Sequence, residues 1–155
     1  MLFRSNKNEF TKNGISVEFL QDNQSLSHRG VLRGLHFQNP PFSQGKLVRV
    51  IKGAVLDVVL DIRKKSPTYG KSFSHELTEE NKTMLWIPPG FAHGFLTLKN
   101  DTIFSYKCTQ VYNKESEDAI LWNDSDLNIH WPIAEPLLSG KDIQAKKFKD
   151  FVSFF

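Results

Sequence analysis

The sequence predicts an all-β protein, an antiparallel sandwich or barrel with one short helix near its C-terminal end. Three observations point there. Short runs rich in valine, isoleucine and phenylalanine alternate apolar with polar at a period of two. Turn signals separate those runs, with prolines at 40, 41, 67, 88, 89, 132 and 136 and glycines between them. Helical signals are confined to a brief stretch near the N-terminus and to the tail after Leu137. Many short strands broken by frequent turns are the pattern of a sandwich or barrel.

Taken in order, Phe10 to Gly14 reads as the close of a short helix at the end of an N-terminal region over residues 1–14. Ile15 to Asn23 alternates, with Val17, Phe19, Gln21 and Asn23 on one side, so two amides prolong an apolar face. Val31 to Gln38 is the next strand, followed by a loop at Asn39-Pro40-Pro41-Phe42-Ser43. Lys46 to Lys52 places Lys46, Val48 and Val50 on one side, and Lys52-Gly53 turns into a valine-rich strand from Ala54 to Arg63. Lys64 to Gly70 is a loop. Ser72 to Leu77, Met84 to Ile87 and Phe95 to Leu98 are short strands. The series closes with Asp101 to Tyr112, where Phe104, Tyr106, Cys108, Gln110 and Tyr112 share a face. Beyond Leu137, a helix is expected over residues 141–151. Ser139 and Asp142 stand at the spacing of a capping box, which by itself accounts for Asp142 as a helix cap.

A chain of 155 residues with no repeat and no linker is one domain, 1–155. Lysine and arginine exceed aspartate and glutamate by 20 to 17, which excludes a nucleic-acid footprint but suits a small anionic ligand. The single cysteine, Cys108, makes no internal disulfide, and metal sites built on cysteine pairs are excluded. No apolar run approaches the ~20 residues of a membrane span. The first residues lack the apolar core of a signal peptide, and the cytoplasm is the expected compartment.

The informative stretch is Val31-Leu32-Arg33-Gly34-Leu35-His36-Phe37-Gln38, an apolar strand that carries a guanidinium, an imidazole and an amide. Burying such groups without partners costs about 1–3 kcal/mol each. A satisfied core histidine would explain His36; a charged sugar ligand, with His36 as the base acting on it, would explain all three. Regular alternation sets Arg33 and His36 on opposite faces, so a shared role requires a bulge at Gly34.

Further motifs accompany this strand: Gln44-Gly45-Lys46-Leu47-Val48-Arg49-Val50, Trp86-Ile87-Pro88-Pro89-Gly90-Phe91-Ala92-His93-Gly94-Phe95, Tyr106-Lys107-Cys108-Thr109, Leu121-Trp122-Asn123-Asp124 and Trp131-Pro132. In this order and spacing the set resembles the dTDP-4-dehydrorhamnose 3,5-epimerase family, from about Phe10 to Asp142. The resemblance implies a cupin-like jelly roll, a homodimer, no cofactor, and a substrate in which a nucleotide, here dTDP, carries a 4-keto-6-deoxy sugar. It places the catalytic base on His36, its acidic partner on Asp142, the catalytic acid on Tyr106, and a lysine near the sugar keto oxygen on Lys46. It implies substrate contacts from Gln21, Asn23, Arg33, His93, Tyr112, Glu117 and Lys141. Family members normally begin with two further strands carrying an arginine, a phenylalanine-rich run and a glutamate. The present sequence starts with Met1-Leu2-Phe3-Arg4 about where that run ends, with Arg4 near the place of the glutamate, so the N-terminal region is expected to be shortened.

The residue types suit that chemistry. A keto group at C4 acidifies the protons on C3 and C5; inversion needs a base on one face, an acid on the other and a cation for the enolate. Histidine titrates near neutrality and so offers a neutral ring, a carboxylate fixes its tautomer, and an ammonium in a water-poor site holds developing charge. Each residue also has a plainer reading: Lys46 as a surface lysine with its stem buried, Tyr106 as a core tyrosine with one hydrogen bond, Tyr112 as packing. Pro-x-Gly-x-x-His at Pro88 to His93 resembles a metal-binding cupin motif, but the companion His-x-His is absent, and no metal is expected. Two alternatives stay open beside the epimerase: a related keto-sugar isomerase, and a non-catalytic jelly roll that binds a sugar nucleotide.

Overall fold

The structure is a computed structural model and describes residues 6–155; Arg4, with the rest of residues 1–5, lies outside them. A short helix α1 (Lys7–Lys12) comes first, capped by Asn6, whose side-chain oxygen accepts from the amides of Asn8 and Glu9. Nine strands follow: β1 (Gln21–Ser27), β2 (Leu32–Gln38), β3 (Lys46–Lys52), β4 (Ala54–Asp61), β5 (Ser72–Thr78), β6 (Met84–Ile87), β7 (Phe91–Thr97), β8 (Thr102–Cys108) and β9 (Glu117–Ala119). Near the C-terminus stand α2 (Gly140–Ile143) and a single 3-10 turn at Phe148–Asp150. The strands form two antiparallel sheets, ordered β1-β8-β3-β6 and β5-β4-β7-β2-β9. The expected all-β, cupin-like jelly roll is thus the fold observed.

Two apolar cores follow from strand alternation. Between the sheets pack Val48, Val50, Val55, Phe95 and Phe104. On the outer face of the five-stranded sheet pack Leu32, Val58, Leu60 and Leu96, covered by Ile120, Leu127, Trp131 and Phe151 from the C-terminal segment. That second cover explains why β2, β4 and β7 are apolar on both faces, as strands buried on both sides are.

Several expected boundaries are corrected. The ladder of β1 begins at Gln21 rather than Ile15. The preceding residues 15–20 belong to no strand, although the Leu20 amide donates to Cys108 O; Phe19 packs edge-on against Phe10 and Trp86. The N-terminal helix, by contrast, closes where expected, within Phe10 to Gly14: it covers Lys7–Lys12 with Asn13 as its C-terminal cap. The expected helix over 141–151 is only one turn, α2, and then the chain turns away. Lys146 bridges Ile120, its amide donating to Ala119 O and its carbonyl accepting from Leu121, so backbone groups that a longer helix would need extend the sheet instead.

Candidate active site

Registered residues on neighbouring strands share a face, which lets the site be built row by row. In the four-stranded sheet, Gln21, Cys108 and Lys46 form one inward-facing row, and Asn23, Tyr106 and Val48 the next. In the five-stranded sheet, Val59, His93, His36 and Ala119 form a row, and Asp57, Phe95 and Arg33 another. Arg33 and His36, three apart on β2, pair with Phe95 and His93, two apart on β7. The extra residue is a bulge at Gly34, and it turns Arg33 and His36 to the same side. Gly34 adopts φ +134°, and a Cβ on it would lie 2.4 Å from Gly94 Cα, so the bulge depends on glycine at 34.

At the open end of the inter-sheet space lies a cleft of about 180 Å³, bounded by Gln21, Asn23, His36, Lys46, Tyr106 and Glu117, with Tyr112 at its rim. His36 enters from one sheet, Tyr106 and Lys46 from the other. The volume holds a sugar ring; sites for whole drug-sized ligands run to roughly 300–1,000 Å³, so a nucleotide would extend along the rim.

His36 Nε2 lies 2.7 Å from Asp142 Oδ1, with the oxygen set off the N–H axis. Asp142 is 1% exposed and fully engaged. Oδ1 also accepts from the Gly34 amide at 3.0 Å, while Oδ2 accepts from the Ser139 amide and hydroxyl at 3.2 and 2.5 Å. The capping box is therefore real and the ion pair is real, one oxygen serving each. Burial alone would raise the carboxyl pKa. The contacts from His36, Ser139 and Gly34 outweigh it and hold the group at about 2, ionised throughout the neutral range.

The Lys46 ammonium takes part in no hydrogen bond or ion pair among the described residues; burial lowers its pKa, against the pull of Cys108, Asp57 and Glu117. The Tyr106 phenol is raised by burial, with the charge of nearby Arg33 acting the other way, so it holds its proton at neutral pH. Arg33 is exposed and does not line the cleft itself. At the rim, Glu117 accepts from the Tyr112 hydroxyl at 2.8 Å and from Lys141 at 2.7 Å. Gln21 donates to Asn23 at 3.0 Å and accepts from the Tyr112 amide at 2.8 Å.

His93 sits elsewhere than a cleft wall. It is 6% exposed, stacked on Phe104, with Nε2 2.8 Å from the fully buried Asp57. It lies in the row of His36, beneath the cleft rather than lining it. Unpaired, Asp57 would cost several kcal/mol at that depth. Sequence reading passed over Asp57, although a carboxylate inside Val55 to Leu60 was its signal. It also left Gln38 and Gln44 out of the cleft wall, where both lie, and saw no strand in Glu117–Ala119, which is too short and polar to show alternation.

A jelly roll that sets an imidazole, paired with a carboxylate from α2, on one sheet against a phenol and an ammonium on the other has the architecture of the cupin-like class and groups able to move protons. Comparison with known proteins makes this specific. Residues 2–150 match the model of the dTDP-4-dehydrorhamnose 3,5-epimerase family. The dTDP-4-dehydrorhamnose 3,5-epimerase of Shigella flexneri is 56% identical over 137 residues, 88% of this chain and 76% of that protein. The crystal structure of the enzyme so named from Elizabethkingia anophelis superposes with a TM-score of 0.90 at 48% identity, covering 94% of this chain and 82% of that one. The dTDP-6-deoxy-D-glucose-3,5-epimerase of Legionella pneumophila, solved with dTDP-4-keto-L-rhamnose, gives a TM-score of 0.90 at 46% identity over 98% and 80%. The chain belongs to the dTDP-4-dehydrorhamnose 3,5-epimerase family.

Proposed function

We propose that the protein epimerises a dTDP-linked 4-keto-6-deoxy sugar by proton transfer through an enolate, with its own side chains as the only catalytic groups. The observation that carries this reading is the placement of His36, paired with Asp142 of α2, on one sheet and of Tyr106 and Lys46 on the other, around one cleft. His36 removes the proton from the carbon next to the keto group. Asp142, ionised and fixed by Gly34 and Ser139, orients the ring and offsets the imidazolium charge. Lys46 stabilises the enolate oxygen; its lack of a protein partner leaves it free for that bond. Tyr106 donates its proton to the opposite face of the carbon. Gln21, Asn23, Tyr112, Glu117 and Lys141 contact the rest of the ligand along the rim. Arg33, brought to the His36 side by the bulge, takes the diphosphate in a bidentate contact. His93 contributes from beneath, by supporting the wall on which His36 stands. The names of the relatives support the epimerase over the keto-sugar isomerase and the binding-only jelly roll.

Incubation with dTDP-4-keto-6-deoxyglucose in heavy water, followed by mass spectrometry and NMR, tests this. Two deuterons gained with inversion at C3 and C5 are expected. One deuteron would restrict the activity to a single centre, and none would sink the reading.

The protein is further proposed to be a cytoplasmic homodimer. No helix among the described residues is long and apolar enough to cross a membrane. Strand β1 is an open sheet edge with Leu26 64% exposed and Leu20 beside it 55% exposed, an arrangement that invites a covering partner. Light scattering should give twice the chain mass; the mass of a single chain would refute the dimer.

A further inference from the structure

The Gln38 amide, the third polar group of β2, takes no part in the proton transfers. It stands two residues beyond His36 on the same face and is 4% exposed. Its hydrogen bonds run to two loops. Nε2 donates to Phe42 O at 2.7 Å and to Val111 O at 3.2 Å, and Oε1 accepts from the Asn113 amide at 2.8 Å. Both N–H groups are engaged, so Gln38 has no donor left for a ligand.

The segment 110–113, between β8 and β9, depends on bonds of this kind. Residues 110–112 make no backbone–backbone hydrogen bond among the described residues. Glutamine side chains serve the segment instead. Gln44 donates to Gln110 O at 2.8 Å, Gln38 holds Val111 O and the Asn113 amide, and Gln21 accepts from the Tyr112 amide at 2.8 Å. At the centre of this clamp is Tyr112, half exposed at the cleft rim. Its hydroxyl donates to Glu117, which is registered with Gln38 in the β2–β9 ladder. Only an amide suits position 38. Val111 presents a carbonyl and Asn113 an N–H, so one side chain must both donate and accept. Glutamate would offer acceptors alone, lysine donors alone, and methionine neither. A segment held in this way is ordered before the ligand arrives; a released one would have to be ordered on binding, which weakens affinity.

We propose that Gln38 is a positioning residue for the nucleotide: it holds segment 110–113 so that Tyr112 is presented at the rim, and it thereby sets the affinity for the dTDP half of the substrate without touching the reacting carbons. The proposal rests on the dTDP-sugar reading of the cleft. Strand β2 then carries the base for the sugar and the support for the nucleotide two residues apart.

Gln38→Met keeps the length of the side chain and removes the clamp. Calorimetry with dTDP, read beside steady-state kinetics, is the test. Gln38→Met is expected to weaken dTDP binding about tenfold and to raise KM alike, while kcat falls less than about threefold. On a Tyr112→Ala background the same substitution should weaken dTDP by less than about threefold more, because Gln38 acts through Tyr112. Unchanged dTDP affinity in Gln38→Met overturns the proposal. So does a full tenfold loss on the Tyr112→Ala background, which would make Gln38 independent of Tyr112, and so does a loss confined to kcat. Should Gln38→Met fail to fold, Gln44→Met, which lies off β2 and removes one bond of the clamp, is read by the same comparison with an expected loss of about threefold that disappears on the Tyr112→Ala background. Wild-type protein that binds no dTDP would instead remove the dTDP-sugar reading, and this role with it.

Discussion

His36→Asn is expected to lower kcat by roughly 10³-fold and to stop deuterium uptake from heavy water, while dTDP still binds. General-base catalysis supplies about 10²–10⁴-fold in comparable sites, and no other imidazole lines the cleft. The variant should fold. Asp142 keeps the Gly34 amide on Oδ1 and Ser139 on Oδ2, so no buried carboxylate is orphaned when the imidazole goes. Mass spectrometry of recovered sugar and calorimetry with dTDP give the two readings. Exchange that persisted at more than about a tenth of the wild-type rate would move the base elsewhere, with His93 the first candidate because it stands in the same row.

Tyr106→Phe should separate two events that run together in the native protein. Inversion is expected to fall by roughly 10²–10³-fold, the contribution of a positioned acid. Exchange at the abstracted position should continue, because His36 still removes a proton and can return a deuteron to the same face. The structural cost is small. The ring keeps its contact with Phe104, 6.0 Å between centroids, and the hydroxyl makes no hydrogen bond among the described residues. NMR for configuration and mass spectrometry for deuterium distinguish the outcomes. Equal loss of exchange and inversion would make Tyr106 a binding residue. Loss of neither would assign the far-face proton to another group.

Much of the sandwich was legible because alternation is a local property. Lys46 to Lys52 and Met84 to Ile87 are strands with the bounds that alternation indicates. The inward face of Phe104, Tyr106 and Cys108 is likewise present as read. Elements went astray where a local pattern was overruled from a distance. Residues 144–147 carry helix formers, yet Lys146 is claimed by the backbone of Ala119 and Leu121. Glu117–Ala119 has no strand pattern, yet it pairs with Phe37 and its neighbours.

The sequence by itself determined which faces the polar groups of each strand occupy. A period of two places Lys46 with Val48, and Gln21 with Asn23, whatever the rest of the chain does. It also carried the motifs that mark the family, and the glycine without which β2 cannot bulge. Tertiary structure decided what those faces meet. Asp142 donates no pattern of its own beyond a helix cap. It becomes the partner of His36 because the C-terminal segment folds over the outer core and brings it back to Gly34, 108 positions earlier. His93 was carried below the cleft, where its ring meets Asp57. Contacts across such separations are selected by the packing of whole layers, and no short window of sequence contains them.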